Sequence, residues 1–239
     1  MDDPAGLRAA VEGGADRIEL CSALDVGGLT PSAGLMRLAA GCGLPVLAMI
    51  RPRSGGFCYD GDELAVMASD IAAARMTGLA GVVLGALTPE LRLDLPAMEG
   101  LMRRAAGLEV TLHRAFDLID NWREAVDQAV ALGVNRILTS GGALSAPEGV
   151  ARMAEIMDHA GGRITILPGA GISADTIGAL RGLPLGEVHA SCRGPVAADP
   201  ASVAFGFAPR DAKRCDAARV RALKAALTGP PSGASLLQK

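Results

Sequence analysis

The stretch VTLHRAFD, residues 110–117, begins as a β-strand and ends in side chains capable of chemistry. Val110 and Leu112 alternate with Thr111 and His113, which is the period of two that a strand requires. Arg114 and Asp117 follow directly. An apolar strand that ends in polar residues is typical of a βα unit, because functional groups gather at the carboxyl ends of parallel strands.

The same unit recurs along the chain. Short β-branched runs are separated by Ala-, Leu- and Met-rich stretches with helical spacing, and the runs start about 25–35 residues apart, as βα units do. This alternation predicts an α/β fold with a parallel sheet. We favour a TIM-like (β/α)8 barrel, because the strands are short and evenly repeated and no GxGxxG follows the first one. The runs are RIELC (17–21), VLAMIRP (46–52), GVVLGAL (81–87), EVTLHRAF (109–116), RILTSGG (136–142), ITILPGAG (164–171) and EVHASC (187–192).

These runs predict seven strands, one fewer than a closed barrel needs. Asp3 and Pro4 have the form of a helix N-cap and first turn, so the chain is expected to open on a helix with no strand before it. We therefore predict a single barrel domain over residues 1–228 whose first strand is missing. Residues 193–215 are expected to be irregular, and residues 229–239 to form a flexible tail.

Composition limits the function classes. Half of the chain is hydrophobic but only 3% is aromatic, and the net charge of -3 is mixed in sign, so no basic stripe for nucleic acid is present. Charged residues, Gly or Pro interrupt the apolar runs before membrane-spanning length, and no signal-peptide pattern opens the chain. We expect a soluble, cytoplasmic protein without nucleic-acid or membrane partners. Its five cysteines have no CxxC spacing, which argues against a disulfide framework or a structural zinc site.

The predicted strand ends carry an unusual set of polar and sulfur-bearing side chains. In a barrel whose strands point these groups inward, they would line one mouth. A carboxylate, arginines and histidines together suit acid/base chemistry on a small anionic ligand. The residues are Glu19, Cys21, Arg51, Arg53, His113, Arg114, Asp117, Ser140, His189 and Cys192.

The sequence PGAGIS adds a possible anion site after the next-to-last predicted strand. Gly169 and Gly171 would expose backbone N–H groups ahead of a helix N-terminus, which attracts anions. Phosphate sites in such barrels commonly follow the seventh and eighth strands.

Structural roles explain several of these residues equally well. His113 could be a core histidine bonded to a backbone carbonyl, and Arg114 with Asp117 could be an ion pair that fixes the loop. Glu19 could pair with Arg51 inside the barrel. The nine methionines fit core packing on helix faces better than a copper-binding cluster.

Several motifs together resemble the CutC family of copper homeostasis proteins. They are GGADRIELCSALDVGGLTPS, MIRPRSGGFCY, VTLHRAFD, RILTSGG and PGAGI, in this order between about Ala9 and Cys192. The resemblance implies a TIM-like barrel in a cytoplasmic, often homo-oligomeric protein associated with copper tolerance and Cu(I) binding. It also implies a preceding strand, which this chain lacks.

The resemblance assigns a possible metal ligand as well. Cys21 matches the second of two cysteines proposed to bind Cu(I) in the family, whereas the first would lie in the missing strand. Cys192 is a conceivable substitute, since the last strand of a closed barrel neighbours the first, and thiolates suit soft Cu(I). Individually, both cysteines could equally be small buried hydrophobic residues.

Two hypotheses from different classes follow. In the first, the protein binds copper(I) through Cys21 without turnover. In the second, it is a barrel enzyme of unassigned reaction on a phosphorylated or carboxylated metabolite. Glu19 or His113, with Asp117 in the same cluster, would then supply acid/base chemistry, and Arg51 with the Gly169–Gly171 loop would hold the anion. The remaining ligand-binding candidates are Arg53, Arg114, Ser140 and His189.

Overall fold

A computed structural model describes residues 1–228, and its centre is one sheet of six parallel strands. Each strand pairs with the next one along the chain, so the strand order in space equals the order in sequence. This arrangement confirms the predicted α/β, TIM-like architecture. The strands are β1 (Ile18–Leu20), β2 (Val46–Met49), β3 (Gly81–Leu84), β4 (Glu109–Leu112), β5 (Arg136–Thr139) and β6 (Thr165–Pro168).

Helices connect the strands and cover the outside of the sheet. Asp3 caps the first helix by accepting a hydrogen bond from the backbone N–H of Gly6, as its sequence predicts, and Asp94 caps the fourth through the N–H of Ala97. The helices are α1 (Pro4–Gly13), α2 (Ala33–Ala40), α3 (Gly61–Met76), α4 (Leu95–Arg104), α5 (Trp122–Ala131), α6 (Val150–Ala160), α7 (Pro200–Ala204) and α8 (Ala217–Thr228).

Strand alternation divides the buried side chains between two faces of the sheet. The face toward the helices carries residues such as Val82 and Val110, which belong to the large core beneath α1 to α6. The concave face carries Cys21, Leu47, Met49 and Val83, which form a separate small cluster inside the barrel. Side chains that point inward from neighbouring strands therefore meet in the barrel interior.

The prediction of a seventh parallel strand at 187–192 is wrong. Within the described residues this segment is not part of any strand, and its backbone bond to β6 is donated by His189 N to Pro168 O at 2.8 Å. A strand is stabilised by a ladder of such bonds, and one bond beside an edge does not make a ladder. The described sheet thus ends at β6 and does not close onto β1.

The outer edge of β1 is covered by one residue. The amino group of Met1 donates to the carbonyl oxygen of Glu19 at 2.6 Å, and the Met1 carbonyl accepts from the N–H of Cys21 at 2.8 Å. This is the bonding pattern of a parallel neighbour. Met1 therefore lies where the predicted preceding strand would pair.

Residues 193–215 are not irregular, contrary to the prediction. Strands β7 (Arg193–Pro195) and β8 (Lys213–Cys215) pair antiparallel, with Arg193 opposite Cys215, and α7 lies between them. The runs are too short to show a period of two, so only the pairing reveals them. The predicted tail, 229–239, lies outside the described residues. Among residues 1–228 no helix is both long and apolar enough to cross a membrane.

Candidate functional site

Arg51 links the loops that follow β1 and β2. Its Nη1 donates to the carbonyl oxygens of Val26 at 2.8 Å and Gly28 at 3.1 Å, and its Nη2 donates to Gly55 O at 2.8 Å. The side chain is buried, and it does not pair with Glu19 among the described contacts. Both terminal nitrogens are thus engaged by backbone carbonyls, while Nε has no hydrogen-bond partner among the described residues.

His113 is buried at the end of β4. Its Nδ1 accepts a hydrogen bond from the backbone N–H of Ala115 at 3.3 Å, and the imidazole packs against Gly85 of the neighbouring strand end. A Cβ at Gly85 would lie 2.8 Å from His113 Cε1, so only glycine leaves room for the ring. Burial, with a smaller effect of the Arg51 charge, lowers the pKa of His113 to about 4. The ring is therefore neutral at neutral pH, with its proton on Nε2.

Asp117 is the centre of a separate hydrogen-bond cluster. Its carboxylate accepts from Arg114 Nε at 2.7 Å, from Ser140 Oγ at 2.9 Å and from the backbone N–H of Gly142 at 3.1 Å. The Thr139 hydroxyl also donates to it. These bonds tie the turn after β4 to the loop after β5, which supports the loop-fixing interpretation of Arg114 and Asp117.

Arg53 fixes its own loop. Its guanidinium forms an ion pair with Glu63 in the first turn of α3 and donates to the carbonyl oxygens of Gly56 and Cys58, each at 2.8 Å. Asp60 and Glu63 complete a capping box at the start of the same helix. Arg53 thus anchors the loop 53–58 to α3.

An interior cavity of about 670 Å³ collects another set of the predicted residues. Glu19, Cys21, His189 and Cys192 all line it, together with Thr111 of β4. Glu19 Oε2 lies 3.7 Å from His189 Nδ1, close enough for an ion pair when the imidazole is protonated. A carboxylate beside an imidazole can transfer a proton.

Ion pairs close the floor of this cavity at the amino ends of the strands. Arg136 pairs with Glu109 at 2.6 Å and with Glu187 at 3.0 Å, and Arg17 pairs with Glu187 at 2.5 Å. Hydrogen bonds and charge from Arg17, and to a smaller degree from Arg136, hold the pKa of the Glu187 carboxyl below its usual range despite partial burial. At the start of α1, the Gly6 N–H and then Arg214 likewise lower the pKa of Asp3.

Cys21 has a sulfur-bearing neighbour that the sequence prediction missed. A Cβ on Gly28 would lie 3.4 Å from Cys21 Sγ and 3.6 Å from Met49 Cε, so both side chains converge on this glycine. Burial raises the pKa of Cys21 to about 11, partly offset by the amino group of Met1, whose nitrogen lies 3.9 Å from Sγ. The alternation of Leu47 and Met49 along β2 is the sequence signal for an inward Met49, which the prediction of helix-face packing for the methionines overlooks.

Cys192 also lines the cavity and directly precedes β7. Its carbonyl oxygen accepts from Asp216 N at 3.0 Å, and burial raises the pKa of its thiol. All five cysteines are free. In the part of the chain that the structure describes, no group of three or more His, Cys, Asp or Glu residues could hold a metal ion. Copper at Cys21 would thus have to use a smaller or mixed set of ligands.

The glycine loop packs closely against its surroundings. A Cβ at Gly169 would lie 2.5 Å from Leu138 Cδ1 and 3.3 Å from the Cβ of His189, and Gly171 has a φ of +69°. The first helical turn after this loop is the 3-10 turn Ile177–Leu180, so no α-helix N-terminus follows it directly. Tight packing therefore accounts for glycine at position 169, and the left-handed backbone for glycine at 171.

The side chains predicted to line one mouth of the barrel therefore form three separate clusters. One joins Arg51 and His113, one joins Arg114, Asp117 and Ser140, and the third lines the cavity. Sequence reasoning placed all of these residues at strand ends but could not separate them, because the separation depends on which loops each side chain contacts.

Comparison with known proteins agrees with this fold. The CutC family model matches residues 1–194. A CutC family protein of Rhizobium meliloti (strain 1021) is 54% identical to this chain over 239 residues, which cover 98% of this chain and 96% of that protein. The crystal structure of a candidate copper homeostasis protein CutC from Streptococcus agalactiae has a TM-score of 0.70 and 35% identity, covering 73% of this chain and 87% of that one.

A more distant structure shows the fold alone. The aldolase QR15 has a TM-score of 0.57 at 16% identity, over 76% of this chain and 80% of that one. The family match, by contrast, covers most of the chain and includes the motifs around Cys21, Arg51 and His113. This chain belongs to the CutC family.

Proposed function

We propose that this CutC family protein handles copper in the cytoplasm by binding Cu(I) at Cys21, with Met49 as a second sulfur ligand. The observation that carries the proposal is the convergence of the Cys21 thiol and the Met49 side chain on Gly28. Thiolate and thioether are soft ligands, which select Cu(I). The description of the relative from Streptococcus agalactiae as a candidate copper homeostasis protein supports the same role.

The chemistry of Cys21 makes binding depend on pH. With a pKa of about 11, the thiol must lose its proton when it binds a metal. The nearby amino group of Met1 favours the thiolate. Apparent Cu(I) affinity should therefore rise with pH over the range in which the thiol is still protonated.

Competition with a Cu(I) chelator tests the copper proposal. Wild-type protein should withdraw Cu(I) from the chelator, Cys21→Ser should lose tight binding, and Met49→Leu should bind more weakly. Cys58→Ser is the matched control, since Cys58 is exposed and lies outside the cavity. A Cys192→Ser variant tests the second-ligand role of Cys192. Tight binding that survives in Cys21→Ser would contradict the proposal.

The cavity favours a second candidate function. Glu19 and His189 lie 3.7 Å apart on the wall of a cavity large enough for a small metabolite, which fits a barrel enzyme acting on a phosphorylated or carboxylated compound. His113 does not line this cavity, so His189 is the better partner for Glu19. Arg51 and the Gly169–Gly171 loop, the candidates for holding the anion, do not line the cavity either, so an anion that they bind would lie outside it.

A metabolite library in a thermal-shift assay tests the enzyme candidate. A ligand that binds only the folded protein raises its melting temperature. We expect a phosphorylated or carboxylated compound to stabilise the wild type and to lose that effect in Glu19→Gln and His189→Asn. These variants are preferable to Arg51→Ala, which would break the bonds between two loops. The absence of any stabiliser in a broad library would count against this candidate.

A further inference from the structure

Within residues 1–228, three buried side-chain polar atoms have no hydrogen-bond partner: Arg51 Nε, Tyr59 Oη and His113 Nε2. All three residues are more than nine-tenths buried, with exposures of 6%, 8% and 3%, respectively. Buried polar atoms are nearly always paired in folded proteins, so three unpaired atoms require an explanation.

The three atoms belong to one neighbourhood around Phe57. The guanidinium carbon of Arg51 lies 4.9 Å from the centroid of the Phe57 ring, and the His113 imidazole lies 4.8 Å from the same ring. Tyr59 follows two residues later in the same loop, and the guanidinium of Arg53 lies 5.2 Å from its ring. Phe57 thus contacts both Arg51 and His113. Tyr59 lies close enough to Arg51 for the guanidinium charge to oppose the rise that burial causes in the tyrosine pKa.

All three unpaired atoms can donate a proton. Arginine Nε carries a hydrogen and cannot accept, and the tyrosine hydroxyl can donate. His113 accepts at Nδ1 from Ala115, so its proton is on Nε2, which is then a donor. The cluster therefore offers three hydrogens.

The donor set defines the class of ligand. A water oxygen has two lone pairs, so one water molecule cannot accept from all three donors. A carboxylate has about four acceptor positions on its two oxygens, and phosphate also presents several oxygens. Hydrogen bonds from arginine to such anions are charge-assisted and strong.

We infer that Arg51 Nε, Tyr59 Oη and His113 Nε2 form a binding site for a small oxyanion of the carboxylate or phosphate class. This site is separate from Cys21, and none of its three residues lines the interior cavity. It gives a specific place to the anion-holding role of Arg51 in the second candidate function, and it rests on that candidate in this respect alone. Phe57 of the loop 53–58 packs against Arg51 and His113, and Gly55 and Gly56 of the same loop are exposed.

Titration with inorganic phosphate and, in parallel, with acetate tests the site at neutral pH and millimolar concentrations. At least one of the two should bind wild-type protein, and the one that binds tells which oxyanion geometry fits. Tyr59→Phe removes one hydroxyl and should weaken that binding about tenfold or more. The ¹⁵N signal of His113 Nε2 should shift on titration, which reports directly on this nitrogen.

Ser69→Ala is the matched control. It also removes a single hydroxyl, but from an exposed helix position where the hydroxyl donates to Ala65 O. Its anion affinity should equal that of the wild type. The site is refuted if neither probe binds, or if binding persists at wild-type strength in a folded Tyr59→Phe protein. Melting temperatures of both variants establish that they are folded. Copper titration uses different residues, so failure of one proposal leaves the other standing.

Discussion

His113 is a neutral imidazole because burial makes its charged form costly. Its ring lies between Phe57 and the backbone at Gly85, and an adjacent arginine opposes a second positive charge. Desolvation and like charge act in the same direction on the pKa. A histidine in this state donates a hydrogen bond but does not act as a base near neutral pH. This favours the ligand-binding role of His113 over the acid/base role.

The lowered pKa of His113 predicts an acid-dependent loss of stability. His113 binds a proton below about pH 6.5 in the unfolded protein but only below about pH 4 in the folded protein. Between these pH values the unfolded state therefore carries more protons than the folded state. The contribution of His113 to the free energy of unfolding should be fully present above pH 6.5. The free energy of unfolding should then fall by about 3 kcal/mol as the pH drops to 4. Urea unfolding across this range measures it.

The variant His113→Asn should show a flatter pH dependence than the wild type over the same range, after both are corrected for their stability at pH 7. His159→Asn is the control, since this half-exposed side chain lies on α6 beside Asp127. It should keep the wild-type slope. An unchanged slope in His113→Asn would show that His113 is not the titrating group.

The pairing of β3 with β4 depends on close backbone approach. Gly81 lies opposite Glu109 in the register, and a Cβ there would fall 2.3 Å from the carbonyl oxygen of Glu109. Backbone atoms cannot move aside as the end of a flexible side chain can. A glycine at the start of β3 therefore brings β4 into position, and β4 in turn places His113.

The variant Gly81→Ala should destabilise the protein by about 1–3 kcal/mol through overpacking. Gly61→Ala is the matched control in the first turn of α3. No atom lies within 4 Å of its Cβ position, and alanine favours a helix by about 1 kcal/mol over glycine. Urea unfolding should show opposite signs for the two variants. Equal stability of Gly81→Ala and wild type would mean that β3 and β4 can move slightly apart without a loss in the free energy of unfolding.

The described sheet has two open edges, at β1 and at β6. On its outer side, β1 is paired with Met1, and β6 receives a bond from His189. By contrast, β3 and β4 are paired on both sides. Amides in singly paired edge strands open at lower free energy than those in the centre of a sheet.

Hydrogen exchange should show this difference across the molecule. Amides of Val82–Leu84 and Val110–Leu112 should exchange more slowly than those of Ile18–Leu20. The measurement is native-state exchange followed by mass spectrometry, with α3 as an internal reference. Equal protection in β1 and β3 would indicate that a partner covers the β1 edge in solution. Light scattering on the same sample tests the predicted homo-oligomer, which could provide such a partner.

The repeated strand–helix units of this protein can be recognised from local sequence patterns. The six parallel strands and the helices between them follow from local periods and caps, as in the alternation at 110–113 and the cap at Asp3. Each pattern needs only neighbours in sequence. The strand ends were also correctly identified as the places where polar residues gather, since they follow from the direction of a parallel strand.

The division of those polar residues into clusters, and the pairing of segments distant in sequence, depend on the folded chain. The run 187–192 has the composition of a strand but lacks a ladder, and β7 pairs with β8 across seventeen intervening residues, 196–212. Likewise, Met49 meets Cys21, and Tyr59 joins Arg51 and His113, only through loop packing. Hydrogen bonds and side-chain contacts between distant positions depend on the folded path of the chain, and no local period records them.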